Sequence, residues 1–141
     1  IRELRRQIVA VVQQHIAQLP PVDPRHPILK ERRDAAVGFS GSWSVRLTDK
    51  GFHVDHVHPA GWFSSAFYVT LPKASMGGAA SDGYFTLGEL RDLLPDLKPF
   101  RLIEPAEGRL VLFPSTMWHG TRPFEKGERM TVAFDIARPP R

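Results

Sequence analysis

Apolar residues between Arg2 and Leu19 fall at Leu4, Ile8, Val11, Val12, Ile16 and Leu19, the three-and-four spacing that lines one face of a helix. Pro20 and Pro21 cannot continue it, which places the end of the helix at Leu19. The other face carries Arg5, Gln13 and His15 and reads as solvent-facing, so the helix is expected to lay its stripe on the outside of a sheet. Prolines at 20, 21, 24 and 27 among mixed charges make residues 20–40 a connector arm, with His26 as a loop residue.

From Gly41 the period changes from helical to alternating. Trp43, Val45 and Leu47 share one strand face, Ser44 and Arg46 the other, and Asp49-Lys50-Gly51 supplies a turn. Phe52 to His58 is the next expected strand, and Pro59-Ala60-Gly61 turns the chain into Ser64 to Leu71. Ala74 to Asp82 is rich in Gly, Ala and Ser and reads as a loop. Tyr84 to Leu87 is expected to be a short strand and Leu90 to Leu97 a helical turn. Phe100 to Ile103, Arg109 to Phe113 and Met130 to Ile136 complete the strand set. One helix followed by short strands with Gly and Pro turns predicts a mainly β fold. The expected form is a jelly-roll over residues 41–138, with the N-terminal helix on its outside and all of 1–141 in one domain.

Composition narrows the picture. The chain has 141 residues, enough for one domain with a real core, and its 42% apolar and 24% charged content argues against disorder. No apolar run is long enough for a membrane-spanning helix, and the charged N-terminal helix does not match a secretory signal. Lacking an initiator Met, the chain is expected to begin inside a longer or trimmed protein. There is no cysteine, which excludes disulfides, Cys-ligated zinc and thiol nucleophiles and fits a cytoplasmic location. A net charge of +4 is spread over scattered basic residues, so neither nucleic acid nor a membrane is the expected partner. That field still favours an acidic small molecule.

Four of the six histidines sit in two strand-like motifs, Gly51-Phe-His-Val-Asp-His-Val-His-Pro59 and Met117-Trp-His-Gly120. Imidazole is the commonest metal ligand near neutral pH, and two ligands from one strand plus a distant third leave open coordination positions. His53-Val-Asp55 matches the His-x-Asp half of a two-His, one-carboxylate site, but His56-Val-His58 overlaps it. Side chains alternate along a strand, so Phe52, Val54, His56 and His58 point one way and His53, Asp55 and Val57 the other. The apolar company of Phe52 and Val54 favours His56 and His58 as the inward pair. His53 and Asp55 are the alternative, which a bulge in this strand would select. No His-Glu-x-x-His helix of the zinc hydrolases is present.

From Trp43 to Arg138 the chain resembles the 2-oxoglutarate/Fe(II)-dependent oxygenases related to prolyl hydroxylase. The segments that carry the likeness are Trp43–Leu47, Gly51–Pro72 and Gly108–Thr131. The resemblance implies a double-stranded β-helix of cupin-like form, often attached to tetratricopeptide repeats, with Fe(II) and 2-oxoglutarate as cofactors. His119 would be the distal iron ligand, and His56 and His58 would fall where the family has His-x-Asp, His58 standing in the carboxylate's place. A third neutral ligand leaves the metal one unit more positive. The resemblance also assigns Arg129 to the far carboxylate of 2-oxoglutarate, where a guanidinium fork makes two charge-assisted bonds. Thr131, two residues on and on the same face, and Tyr68 would add hydroxyl donors. The implied activity is a hydroxylase that uses O2 and releases succinate and CO2. Its rivals are a cupin-like three-His metalloenzyme that does not use 2-oxoglutarate and a non-catalytic, metal-clamped binding module. Arg46 could face an anion in the mouth or simply solvent, and Trp62 and Trp118 read as packing residues. An ordinary salt bridge to Glu128 or Asp135 is the competing role for Arg129.

Overall fold

The computed structural model describes residues 2–72 and 81–140. Residues 73–80, most of the expected Gly/Ala/Ser loop, lie outside the described residues. Helix α1 (Arg2–Ala17) is followed by β1 (Phe39–Leu47), β2 (His53–His56), β3 (Gly61–Thr70) and β4 (Phe85–Leu87). β5 (Arg101–Ile103), β6 (Leu110–Pro114), β7 (His119–Thr121) and β8 (Arg129–Ala137) complete the order. The fold is mainly β, and all strand pairs are antiparallel. One sheet has the order β1-β8-β3-β6 and the other β2-β7-β4-β5. No helix among the described residues is long and apolar enough to cross a membrane.

Strand β8 is the centre of the first sheet. Its even-numbered Phe134 and Ile136 pack with Trp62 and Phe63 of β3 against Ile8, Val12 and Ile16 of α1. The helix stripe is narrower than its sequence suggests: Val11 is exposed, and His15 is not on the solvent face. It lies half-buried, edge-on to Phe63 with 5.1 Å between ring centroids, and burial lowers its pKa. A ring beside an aromatic at a helix–sheet seam covers apolar surface that a solvent-facing position would leave wet. The connector arm is tied down by the Trp62 indole, which donates to Ile28 O at 3.0 Å. Trp62 is a packing residue, as expected, whereas Trp118 is 38% exposed.

Most strand limits follow the expected pattern within one to three residues, but β1 begins four residues before Trp43, β7 falls outside the expected strand set, and β2 stops at His56 and leaves His58 beyond the sheet. The segment 90–97 forms turns closed by Leu94 N to Leu90 O and Leu97 N to Leu94 O. A second apolar cluster, with Ala66, Tyr68, Phe85, Leu87, Val111 and Phe113, joins the two sheets. Replacing Phe134, 1% exposed at the helix–sheet seam, with Ala should cost about 3–5 kcal/mol of stability, measured by denaturant unfolding. A cost below about 1 kcal/mol would show that α1 is not held there by this contact.

Candidate active site

Alternation on β8 builds one wall of the site. The odd-numbered Arg129, Thr131, Ala133 and Asp135 face a cavity of about 220 Å³ between the sheets, opposite to the face that meets α1. From β2 and the turn after it come His53, His56 and His58, and from β7 His119 and Thr121. Trp43 and Val45 of β1, with Phe85 and Phe113, supply apolar lining.

Strict alternation along β2 would have kept His53 and His56 apart. Their partners on β7 are Thr121 and His119, so three steps on β2 answer two on β7, and the ladder shifts between them. This is a bulge, whose extra residue re-aims the side chains after it. It brings both histidines to the cavity and leaves Phe52 and Val54 50% and 56% exposed. Sequence alternation therefore selects His56 and His58 for a reason that the fold does not use. Phe52 and Val54 are not interior residues, and His53 is not outward.

Asp55 is turned away from the cavity. Its side chain is 2% exposed and takes a fork from Arg91: Nε to Oδ2 at 2.9 Å and Nη2 to Oδ1 at 2.8 Å, with the Arg91 backbone N–H also on Oδ2 at 2.8 Å. Burial works to raise the Asp55 carboxyl, but those bonds and the Arg91 charge outweigh it, and its pKa lies below the usual carboxylate range. The pair rests on Gly120, where any side chain would run into Asp55 Oδ1 and Arg91. Three partners from one arginine leave this carboxylate structural, and it is not in the cluster that the histidines form.

That cluster is His56, His58 and His119, which can bring one ring nitrogen each within 4.8 Å of one another. Their ring centroids are 4.3 to 5.2 Å apart. Each ring is anchored through Nδ1. His56 Nδ1 lies 2.8 Å from Val54 O, His119 Nδ1 2.9 Å from Met117 O and His58 Nδ1 2.5 Å from Asp135 Oδ2. Carbonyl and carboxylate oxygens only accept, so Nδ1 carries the proton and Nε2 is left free, the arrangement of metal-binding imidazoles. Burial pushes the His119 pKa down to about 4, with the neighbouring histidines adding to the drop, so this imidazole is neutral near pH 7. Three oriented nitrogen donors fit iron binding.

Arg129 lies 2% exposed. Its Nη1 donates to Gly83 O at 2.9 Å, its guanidinium stands over the Tyr68 ring at 4.8 Å, and its Nε has no hydrogen-bond partner among the described residues. Burial lowers its pKa, and the Tyr68 phenol partly offsets this. It does not take the salt bridges open to it in sequence: Glu128 pairs with Arg46 at 2.5 Å on the surface, and Asp135 is engaged by His58 and Ser64. Arg46 thus faces solvent. Thr131 lies directly across from Tyr68 in the β3–β8 register, and Tyr68 is fully buried beneath Arg129 with its hydroxyl unpartnered.

Three residues of the site escaped sequence reasoning. Asp135 carried a usable signal, because it shares the Arg129 and Thr131 face of β8. Ser64 had none: it donates to Asp135 Oδ1 at 2.6 Å and stands 2.9 Å from Ser115 Oγ, while Ser65 alone serves the backbone, at Phe134. Arg91 was hidden by its distance in sequence from Asp55.

Three convergent imidazoles from β2, the turn after it and β7 line the same cavity as a buried arginine from β8, a set that fits iron binding beside a cationic group. The chain belongs to the family described as "Putative 2OG-Fe(II) oxygenase", whose model matches residues 41–135. Membership implies Fe(II) and 2-oxoglutarate as cofactors. Among solved structures, an oxidoreductase of the 2OG-Fe(II) oxygenase family from Burkholderia pseudomallei shares the fold at 18% identity and TM-score 0.55, over 74% of this chain and 46% of that one. A Pseudomonas putida prolyl-4-hydroxylase matches at 20% identity and TM-score 0.49, over 69% of this chain and 51% of that one. The chain thus spans about half the length of these relatives. No curated protein matches it.

The metal-free protein should lose stability as pH falls. His119 binds its proton more readily unfolded than folded, so the loss begins near its ordinary pKa of 6.5 and ends near 4, reaching on the order of 3 kcal/mol. Urea unfolding of the metal-free protein at several pH values should show that slope, and His119→Gln should flatten it. An unchanged slope in the variant would remove His119 as its source.

Proposed function

We propose that the protein is an Fe(II)- and 2-oxoglutarate-dependent dioxygenase that hydroxylates its substrate with release of succinate and CO2. His56, His58 and His119 hold the iron, and Arg129, Thr131 and Tyr68 serve the cosubstrate. The observation that carries this reading is a buried Arg129 guanidinium, with Nε unpartnered, on the wall of the cavity that holds the three imidazoles. Burying a cation without an anionic partner is costly, and a ligand carboxylate is the complement that would offset it. The strand order β1-β8-β3-β6 with β2-β7-β4-β5 supports the double-stranded β-helix, the architecture expected for such a site.

Fe(II) and 2-oxoglutarate, held by these residues, would supply the oxidising power: oxidative decarboxylation of the oxoacid by O2 would give succinate and CO2, with the second oxygen atom available for a substrate C–H bond. The chain's own residues bind and orient. Each imidazole presents Nε2 because its Nδ1 proton is committed to a fixed oxygen. Arg129 would fork onto the far carboxylate of the cosubstrate, and the Thr131 hydroxyl would donate to it. The Tyr68 ring lies against the guanidinium and would help to hold it, and its buried hydroxyl would be a further donor. Phe85, Phe113, Trp43 and Val45 exclude water from the space between. Three protein ligands among the described residues, rather than four, would leave positions open for oxoacid and O2.

Anaerobic titration of the Fe(II)-loaded protein with 2-oxoglutarate should raise a metal-to-ligand charge-transfer absorption. Arg129→Ala should need roughly 30-fold more oxoacid for the same absorption, the equivalent of about 2 kcal/mol. Bound iron with no absorption change would move the assignment to a three-His metalloenzyme or a metal-clamped binding module.

A further inference from the structure

We infer that Asp135 is a positioning residue that supplies, through His58, the negative charge that an all-histidine metal site lacks. The inference rests on the metal-site reading above. A His-x-Asp site binds iron with one carboxylate; here His58 stands at the second place of the pair, and the three nitrogens bring no charge. Asp135 Oδ2 lies 2.5 Å from His58 Nδ1, on the side of the ring away from the nitrogen left for the metal. A carboxylate in that place makes the imidazole a more basic and more anionic donor.

Orientation alone does not call for a carboxylate. His56 and His119 are held equally well by the carbonyls of Val54 and Met117. Among the described residues, only the His58 ring is anchored by a charged group, and it is the ring that replaces the acid. Asp135 is buried, and its ion-pair partner among the described residues is this histidine rather than a Lys or Arg. Burying a carboxylate is costly unless it is compensated, and a cation coordinated on the far side of the ring compensates it.

The rest of the neighbourhood fixes the carboxylate. Ser64 donates to Asp135 Oδ1 at 2.6 Å, and with its one proton spent it accepts from Ser115 across 2.9 Å. Ser115 is fully buried, and its carbonyl accepts the His58 backbone N–H at 2.8 Å. Gly61 has no side chain because one would occupy the place of Ser115 Oγ. Since β2 ends at His56, this chain of contacts, rather than a sheet ladder, sets where His58 stands.

Asp135→Asn keeps the shape and leaves an amide oxygen to accept from His58 Nδ1, its amino group facing Ser64, whose hydroxyl then turns to Ser115. It removes only the charge. Anaerobic Fe(II) and Co(II) titrations and the Fe(III)/Fe(II) midpoint potential of the loaded protein read that charge without any turnover. The variant should bind both metals roughly 10- to 100-fold more weakly and show a higher midpoint potential. Ser64→Ala, which leaves the charge in place, should stay close to the parent in both. Parent-like affinity and potential in a folded Asp135→Asn protein would overturn the inference while leaving the metal site standing. A parent that takes up no metal would overturn both. If Asp135→Asn does not fold, His58→Asp and the double variant His58→Asp/Asp135→Asn decide. With a carboxylate at 58, Asp135 becomes a repelling neighbour, so the double variant should bind metal more tightly than His58→Asp alone. Equal or weaker binding by the double variant would overturn the inference.

Discussion

Strand β8 is buried on both faces, and nearly everything about the molecule follows from having to satisfy both. Its even-numbered residues, Phe134 and Ile136, close the apolar seam with α1, while its odd-numbered residues, Arg129, Thr131, Ala133 and Asp135, face the cavity. Pairing with β1 on one edge and β3 on the other fixes its register along nearly its whole length. A slip of one residue would put a guanidinium and a carboxylate into the helix seam and two large apolar side chains into the site. The core and the chemistry are therefore locked by the same ladder.

The two charges on that face do not neutralise each other. Arg129 and Asp135 are six residues apart, about 20 Å of extended chain, too far for an ion pair. Each is left to another partner. Asp135 finds His58 and Ser64, and Arg129 finds a carbonyl, an aromatic face and an unfilled Nε. Opposite charges held apart on one rigid strand are suited to a bound metal at one point and a bound anion at another.

The opposite wall depends on one extra residue in β2. Without the shift between His53 and His56, these two histidines could not both face the cavity, and Asp55 could not turn back to Arg91 over Gly120. The bulge thus sorts two overlapping ligand motifs: one carboxylate is withdrawn into a structural ion pair, and three imidazoles are left together. Phe52 and Val54, the neighbours of the cavity-facing His53, take the opposite, exposed face.

The helix, most of the strands and the histidine, arginine and threonine types that line the cavity were legible in the chain. They are encoded locally, in three-and-four spacing, two-residue alternation and Gly/Pro turns, and local periodicity needs no partner to be read. His56, His58 and His119 were legible as a set, and their convergence is seen only in the fold. What periodicity could not supply was anything that depends on two distant segments meeting. The bulge is defined against β7, so strand alternation in β2 alone misplaced His53, Phe52 and Val54. Asp55 is withdrawn by Arg91, 36 residues on, and His58 is anchored by Asp135, 77 residues on. His15 left the solvent face because Phe63 of a later strand packs against it. The amino-acid pattern thus determined the elements and the inward face of those that keep a regular period, such as β8. The tertiary structure decided which of them meet, because a hydrogen bond or a shared metal site is a property of two surfaces and neither surface contains the other.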